Sequence, residues 1–232
     1  MERAIEHRPP AAIAQVAAVA AVYIAISIAA VGLLDLSSLF AEAWAPDEKA
    51  TGGGFLTGAV VQIALVLAGA YLFGLEDLRL AIGKTFAPAN RGAWTVAGIA
   101  TAIHIGTALL VFLPQPGRAL EPSAVNLILS AVPAADGWSQ EVLFRGYVLF
   151  RLARAGVPAL AQILVSGALF AAIHIGYAGG GPWGMLAPLV GTFMLGCFYA
   201  WAVQIGRGSL KPVIVCHVLI IVVLQPWLAL AR

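Results

Sequence analysis

Residues 11–34, 55–74, 93–113, 157–176, 185–205 and 209–231 are long apolar runs whose only charged side chain is Lys211, near the start of the last. Each run is close to the roughly 20 residues that an α-helix needs to cross about 30 Å of hydrocarbon. In lipid the backbone must satisfy its own hydrogen bonds within each segment, so apolar runs of this length predict helices. Hydrophobic residues make up 61% of the 232 and charged residues 10%. A soluble domain carries about 25% charged residues, and no soluble core could hide this excess. The expectation is an all-α, polytopic transmembrane bundle in which residues 1–232 form a single integral membrane domain.

A further apolar piece starts near Glu121-Pro122, runs from Ser123 only to Ala135, and is interrupted at Asp136-Gly137. The helical pattern then resumes through Gln140 to about Arg154, so the expectation is one long, bent fourth helix, with Pro133 as a possible source of the kink. About seven spans follow. Residues 75–92 read as a short amphipathic piece and loop, residues 177–184 as a Gly-rich loop, and Gly206-Arg207-Gly208 as a turn. Lys and Arg gather in the N-terminal tail and in the second, fourth and sixth loops (Arg3, Arg8, Arg79, Lys84, Arg91, Arg151, Arg154, Arg207, Lys211). The opposite side holds Lys49, Arg118 and Arg232. By the positive-inside rule this predicts a cytoplasmic N-terminus, in a cell inner membrane.

Several classes are disfavoured. The net charge of +2 comes with no basic run, so nothing points to nucleic acid. The first apolar run is too long for a secretory signal and lacks a convincing cleavage site, which predicts a retained span. Cys197 and Cys216 sit in apolar runs, where free buried thiols are expected. No inverted repeat supports a transporter.

Against this background Ser139-Gln140-Glu141-Val142-Leu143-Phe144-Arg145-Gly146-Tyr147 stands out. An ionisable side chain at membrane depth costs roughly 2.5–3.5 kcal/mol on insertion scales and marks function by default. On an α-helix Glu141 and Arg145 lie about 40° apart and one turn from each other, which predicts an ion pair facing the protein interior. Gln140 is turned about 100° from Glu141 and presents to a different neighbour. Two other late helices carry His174 and His217. Two imidazoles and a carboxylate can activate a water and protonate a leaving amine. No His-Glu-x-x-His is present, and neither a metal nor another cofactor is expected. A lone intramembrane histidine more often packs with one hydrogen bond, which is the expectation for His104.

Gln140-Glu141-Val142-Leu143-Phe144-Arg145-Gly146 resembles the Glu-Glu-x-x-x-Arg motif of the CPBP intramembrane proteases, the CAAX protease and bacteriocin-processing (Abi) family. Phe170-x-x-x-His174 resembles their second motif. His217, after Gly208-Ser209-Leu210 and a short apolar run, resembles their third, His-x-x-x-Asn/Asp. The resemblance covers residues 120–225. It implies a glutamate-dependent endopeptidase acting in a membrane cavity on a peptide or protein substrate delivered by the lipid phase. It also implies that Gln140, Glu141, His174 and His217 line one cavity. On this pattern His174 helps activate the attacking water and His217 stabilises the oxyanion. Glu141–Arg145 holds the architecture, with Phe144 and Phe170 in support.

The chain departs from the pattern twice: Gln140 stands where the family has its first glutamate, and Ile221 where it has Asn or Asp. A Gln can orient water but cannot take its proton. Ile221 offers no donor, and losing one oxyanion donor typically costs about 10²–10³ in rate. Three explanations stand open. Gln140 is an engineered inactivating change; or it is natural and Glu141 or Asp136 serves as base; or the chain binds peptide without cutting it, as a self-immunity protein would. Counting 1.5 Å per residue from the fourth loop puts Glu141 about 20 Å deep, His174 about 30 Å and His217 about 12 Å, a spread that simple spans do not close.

Overall fold

A computed structural model describes residues 9–33, 76–112, 134–135, 137–174 and 182–230, and among these every element is helical, with no strand. The predicted second span at 55–74, the loop at 35–54, Glu121-Pro122, Pro133, Asp136 and most of the Gly-rich loop lie outside the described residues. The helices are α1 (Pro9–Leu33), α2 (Glu76–Gly83), α3 (Arg91–Phe112), α4 (Val148–Arg154), α5 (Ala159–Ile173), α6 (Pro182–Ile205) and α7 (Lys211–Leu230). Residues 137–141 are helical and lead into a π-helical segment, Val142–Tyr147, which runs directly into α4. The predicted fourth helix is therefore present from 137 onward, with a π-helical irregularity at the motif itself.

Local chemistry sets the ends. Asn90 caps α3: its Oδ1 accepts from the Ala93 backbone N–H at 2.9 Å, while its Nδ2 donates to the Ile205 carbonyl at 2.6 Å and pins the end of α6. Helix α4 ends in a left-handed cap at Gly156 (φ +73°), with the Val157 N–H reaching back to Leu152 O at 3.0 Å. The same cap closes α6, but there Arg207 (φ 56°) takes the left-handed position and Gly208 follows it.

Around a core of buried apolar side chains, several large apolar residues face outward while a set of polar ones is buried. Ile99, Ile103 and Leu110 on α3, Leu160 and Leu164 on α5, Met194 and Trp201 on α6, and Val215 and Leu219 on α7 are exposed. Glu141, Arg145, Ser139 and Ser166 are fully buried. By length and composition the Arg91–Leu110 stretch of α3 is able to cross a membrane. Pro9–Val22, Ala159–Ile173, Leu189–Ile205 and Lys211–Leu224 are shorter apolar helices.

Helices α5 and α6 cross at Gly167 and Gly196. A Cβ on Gly196 would stand 2.9 Å from the Gly167 Cα, and one on Gly167 would stand 3.1 Å from the Phe193 carbonyl oxygen. Small residues at such a crossing let two backbones approach where lipid supplies no hydrophobic drive. Gly196→Val is expected to force the helices apart at a cost of about 1–3 kcal/mol or more, because backbone atoms cannot yield as a flexible side chain would. Thermal unfolding in detergent micelles checks this; an unchanged midpoint would mean that the crossing is looser than described.

Amphipathic α2 packs along the motif helix, antiparallel to it. Glu76 and Asp77 pair with Arg154, the latter at 2.9 Å. Further along, Ala81 meets Gly146, and Thr85 accepts from Trp138 Nε1 at 3.3 Å. Asp77, Leu78 and Ala81 are buried in this contact. Arg151 donates to Gln15 through Nε at 2.9 Å, tying α1 to the same end.

Candidate active site

The π segment carries the site. Its i→i+5 bonding, seen where the Val148 N–H reaches Leu143 O, widens the turn, so the α-helical angles expected for this stretch do not apply from 142 to 147. The predicted ion pair forms nonetheless. Arg145 Nη1 donates to Glu141 Oε1 at 3.0 Å, and both side chains are fully buried. The Ser166 hydroxyl on α5 donates to Phe144 O at 2.8 Å, satisfying a carbonyl inside the irregular segment.

The same carboxylate oxygen takes a second partner: His217 Nδ1 lies 2.7 Å from Glu141 Oε1. Helix α7 thus brings its histidine directly onto the motif. The depth count that set His217 far above Glu141 fails because α7 does not begin level with the end of α4. The Leu210 N–H donates to Lys84 O at 3.1 Å, and a Cβ on Gly146 would lie 3.2 Å from Leu210 Cδ1. Residue 210 therefore sits beside 146, about 12 Å along the helix from Arg154. The turn at 206–210 is inserted into the bundle beside α2 and the motif helix.

Phe170 is the hub. The Arg145 guanidinium carbon stands 3.8 Å from its ring centroid, and the His174, His217 and Phe144 rings lie 4.4, 5.6 and 6.0 Å away. A desolvated cation over an aromatic face is worth up to about 2 kcal/mol. His174 ends α5, where its Nδ1 is 2.7 Å from Phe170 O. Gln140, the residue before Glu141, is buried. Gly137 lies one turn earlier still, and a Cβ there would meet Ile221 Cδ1 at 2.6 Å and His217 Cγ at 3.6 Å. Ile221 is thus packed on backbone at the position where the family pattern has a hydrogen-bond donor.

The sequence pattern missed part of this neighbourhood. Tyr199 of α6 is fully buried, its hydroxyl 2.6 Å from Thr101 Oγ1 and its ring 6.4 Å from that of His217. His104 is one turn beyond Thr101 on the same face of α3. The available signal was the i,i+3 spacing of Thr101 and His104. Cys216 is a buried free thiol, while Cys197 is free and half-buried. Among the described residues no three His, Cys, Asp or Glu side chains group so as to hold a metal ion.

A carboxylate fixed by a guanidinium and bonded to an imidazole, with a second imidazole across one aromatic ring, can position and move a proton. No curated protein and no solved structure matches the chain. One family does: residues 121–223, the stretch that supplies Gln140, Glu141, Arg145, Phe170, His174, Tyr199, His217 and Ile221, match the family described as type II CAAX prenyl endopeptidase Rce1-like, and over that stretch the chain is similar to that family.

Proposed function

We propose that the chain is a multi-pass intramembrane endopeptidase of about seven spans, in a cell inner membrane with its N-terminus cytoplasmic. It hydrolyses a peptide or protein substrate presented from the lipid phase, with Gln140, Glu141, His174 and His217 lining the site. The observation that carries this reading is the Glu141–His217 contact at 2.7 Å, because it joins two motifs 76 residues apart into one buried, proton-moving unit inside the family-matched stretch. The outward-facing Ile99, Ile103, Leu160, Met194 and Leu219 support a lipid surround.

The test uses the purified chain in nanodiscs, offered prenylated CAAX-terminated peptides and unprenylated membrane-anchored peptides. Cleavage is expected, and His174→Ala should lower it by about 10²–10⁴, the usual share of a general acid–base group. Cleavage unaffected by His174→Ala would overturn the assigned site. Gln140 and Ile221 favour one rival, a non-catalytic peptide-binding self-immunity protein. In that case peptide would bind, none would be cut, and His174→Ala would leave binding intact.

A further inference from the structure

We infer that Tyr199 is a positioning residue of this site: its hydroxyl, tied to Thr101 on α3, holds its ring against Arg145 and His217, the two side chains that meet at Glu141 Oε1. This rests on the hydrolase reading and adds a residue to it. It also brings α3 into the site, although α3 lies outside the family-matched residues 121–223.

Glu141 Oε1 is where the motif helix and α7 meet. Arg145 Nη1 donates to it at 3.0 Å, and His217 Nδ1 stands 2.7 Å from it. One hydrogen bond fixes one nitrogen of each group and leaves the rest of the guanidinium or imidazole to be held by its neighbours. Two aromatic rings border both groups. Phe170 has its centroid 3.8 Å from the Arg145 Cζ and 5.6 Å from the His217 ring. Tyr199 has its centroid 5.5 Å from the same Cζ and 6.4 Å from the His217 ring, which it meets at 60°. These separations lie within the reach of a cation–π contact, about 6 Å, and of an edge-to-face pair, about 7 Å. Phe170 comes from α5 and Tyr199 from α6, so two further helices bear on the same pair.

The Tyr199 hydroxyl separates filling from holding. The residue is fully buried, and a phenylalanine would occupy nearly the same space with no polar group to satisfy. A buried hydroxyl is costly unless it is hydrogen-bonded. Here it lies 2.6 Å from Thr101 Oγ1, itself buried, so the ring is fastened to α3. Local packing permits this bond. Helix α3 packs on α6 and α7, with Ala93, Ala97 and Ala100 buried alongside Thr101. A Cβ on Gly206, just past the end of α6, would stand 3.0 Å from Ala93 Cβ. Small side chains let two backbones come close enough for a short hydroxyl to reach the phenol. A ring so fastened resists sliding against the guanidinium and the imidazole.

The test is a double-mutant cycle on Tyr199 and Thr101, with the whole chain in nanodiscs. It is read on kcat and KM for a prenylated CAAX-terminated peptide, and on the ¹⁵N signals of the His217 ring, assigned from the His217→Gln spectrum. Tyr199→Phe keeps the ring and loses the bond; Thr101→Val loses the same bond from its other end. Each is expected to lower kcat by up to about 10², the scale of a misplacement of about 1 Å at a catalytic group, with KM unchanged. Each should also shift the His217 signals. The double variant should do no more than either single one, because both cut one link. Thr101→Ser keeps a hydroxyl and should cleave like the parent. Variants with a lowered unfolding midpoint but unchanged kcat and His217 signals would overturn the inference, since Tyr199 would then only fill space. Losses that add in the double variant would overturn it too, since the two residues would act separately. A parent chain that cuts no peptide removes the hydrolase reading, and a His217 shift shared by both single variants then still decides whether Tyr199 and Thr101 position the imidazole.

Discussion

Glu141→Ala is expected to collapse the folded yield, whereas Glu141→Gln is expected to retain most of it. Arg145 is fully buried, and among the described residues its Nε and Nη2 make no hydrogen bond. Its one hydrogen bond there runs from Nη1 to Glu141, and its face rests on Phe170. Removing the carboxylate strands a guanidinium in the bundle interior and takes the partner from His217 Nδ1 in the same step. Breaking a buried pair by deleting one partner costs about 3–5 kcal/mol. Native domains are stable by only about 5–15 kcal/mol, so this loss removes much of the margin. Gln keeps an oxygen able to accept from Arg145 or His217. Yield of monodisperse protein and the unfolding midpoint in detergent decide the matter. An Ala variant as stable as the parent would show that the cation–π contact alone secures Arg145.

The parts of this site that could be read from sequence are those in which chemistry contradicts its surroundings. An acid and a guanidinium four residues apart in an apolar helix have few alternatives to pairing, and Glu141 and Arg145 do pair. The helix limits around 93–113 and 209–231 were also legible, because long apolar runs bounded by Asn90-Arg91 or Gly206–Gly208 leave little freedom. What stayed hidden depends on relative height. Nothing local to Leu210 says that α7 begins beside Gly146, and the 2.7 Å Glu141–His217 contact follows from that insertion. The π segment was equally hidden: nothing in the residues of Val142–Tyr147 marks a widened turn. Tyr199 looked like any aromatic in an apolar run until its hydroxyl met Thr101.

Gly146→Ala, a change of one methyl group, is expected to cost about 1–3 kcal/mol of stability and to reduce cleavage by more than that loss explains. The added Cβ would overlap the Ala81 Cβ and come within 3.2 Å of both the Ala81 Cα and Leu210 Cδ1. Ala81 Cβ has no torsion through which to retreat, so the backbone of α2 or the start of α7 must move. Both moves reach the site. Thr85, just past α2, holds Trp138 next to Gly137. Leu210 precedes His217 by about two turns of one helix, so a displaced α7 shifts the imidazole away from Glu141 Oε1. A misplacement of about 1 Å at a catalytic group can cost roughly 10² in rate. Ala81→Gly removes the opposing methyl and should recover most of the stability and cleavage lost by Gly146→Ala, although alone it weakens α2 by roughly 1 kcal/mol. The double-mutant cycle read on both quantities is the check. Additive losses, with no recovery in the double variant, would mean that α2 does not sit against the motif helix and that the height of α7 is set elsewhere.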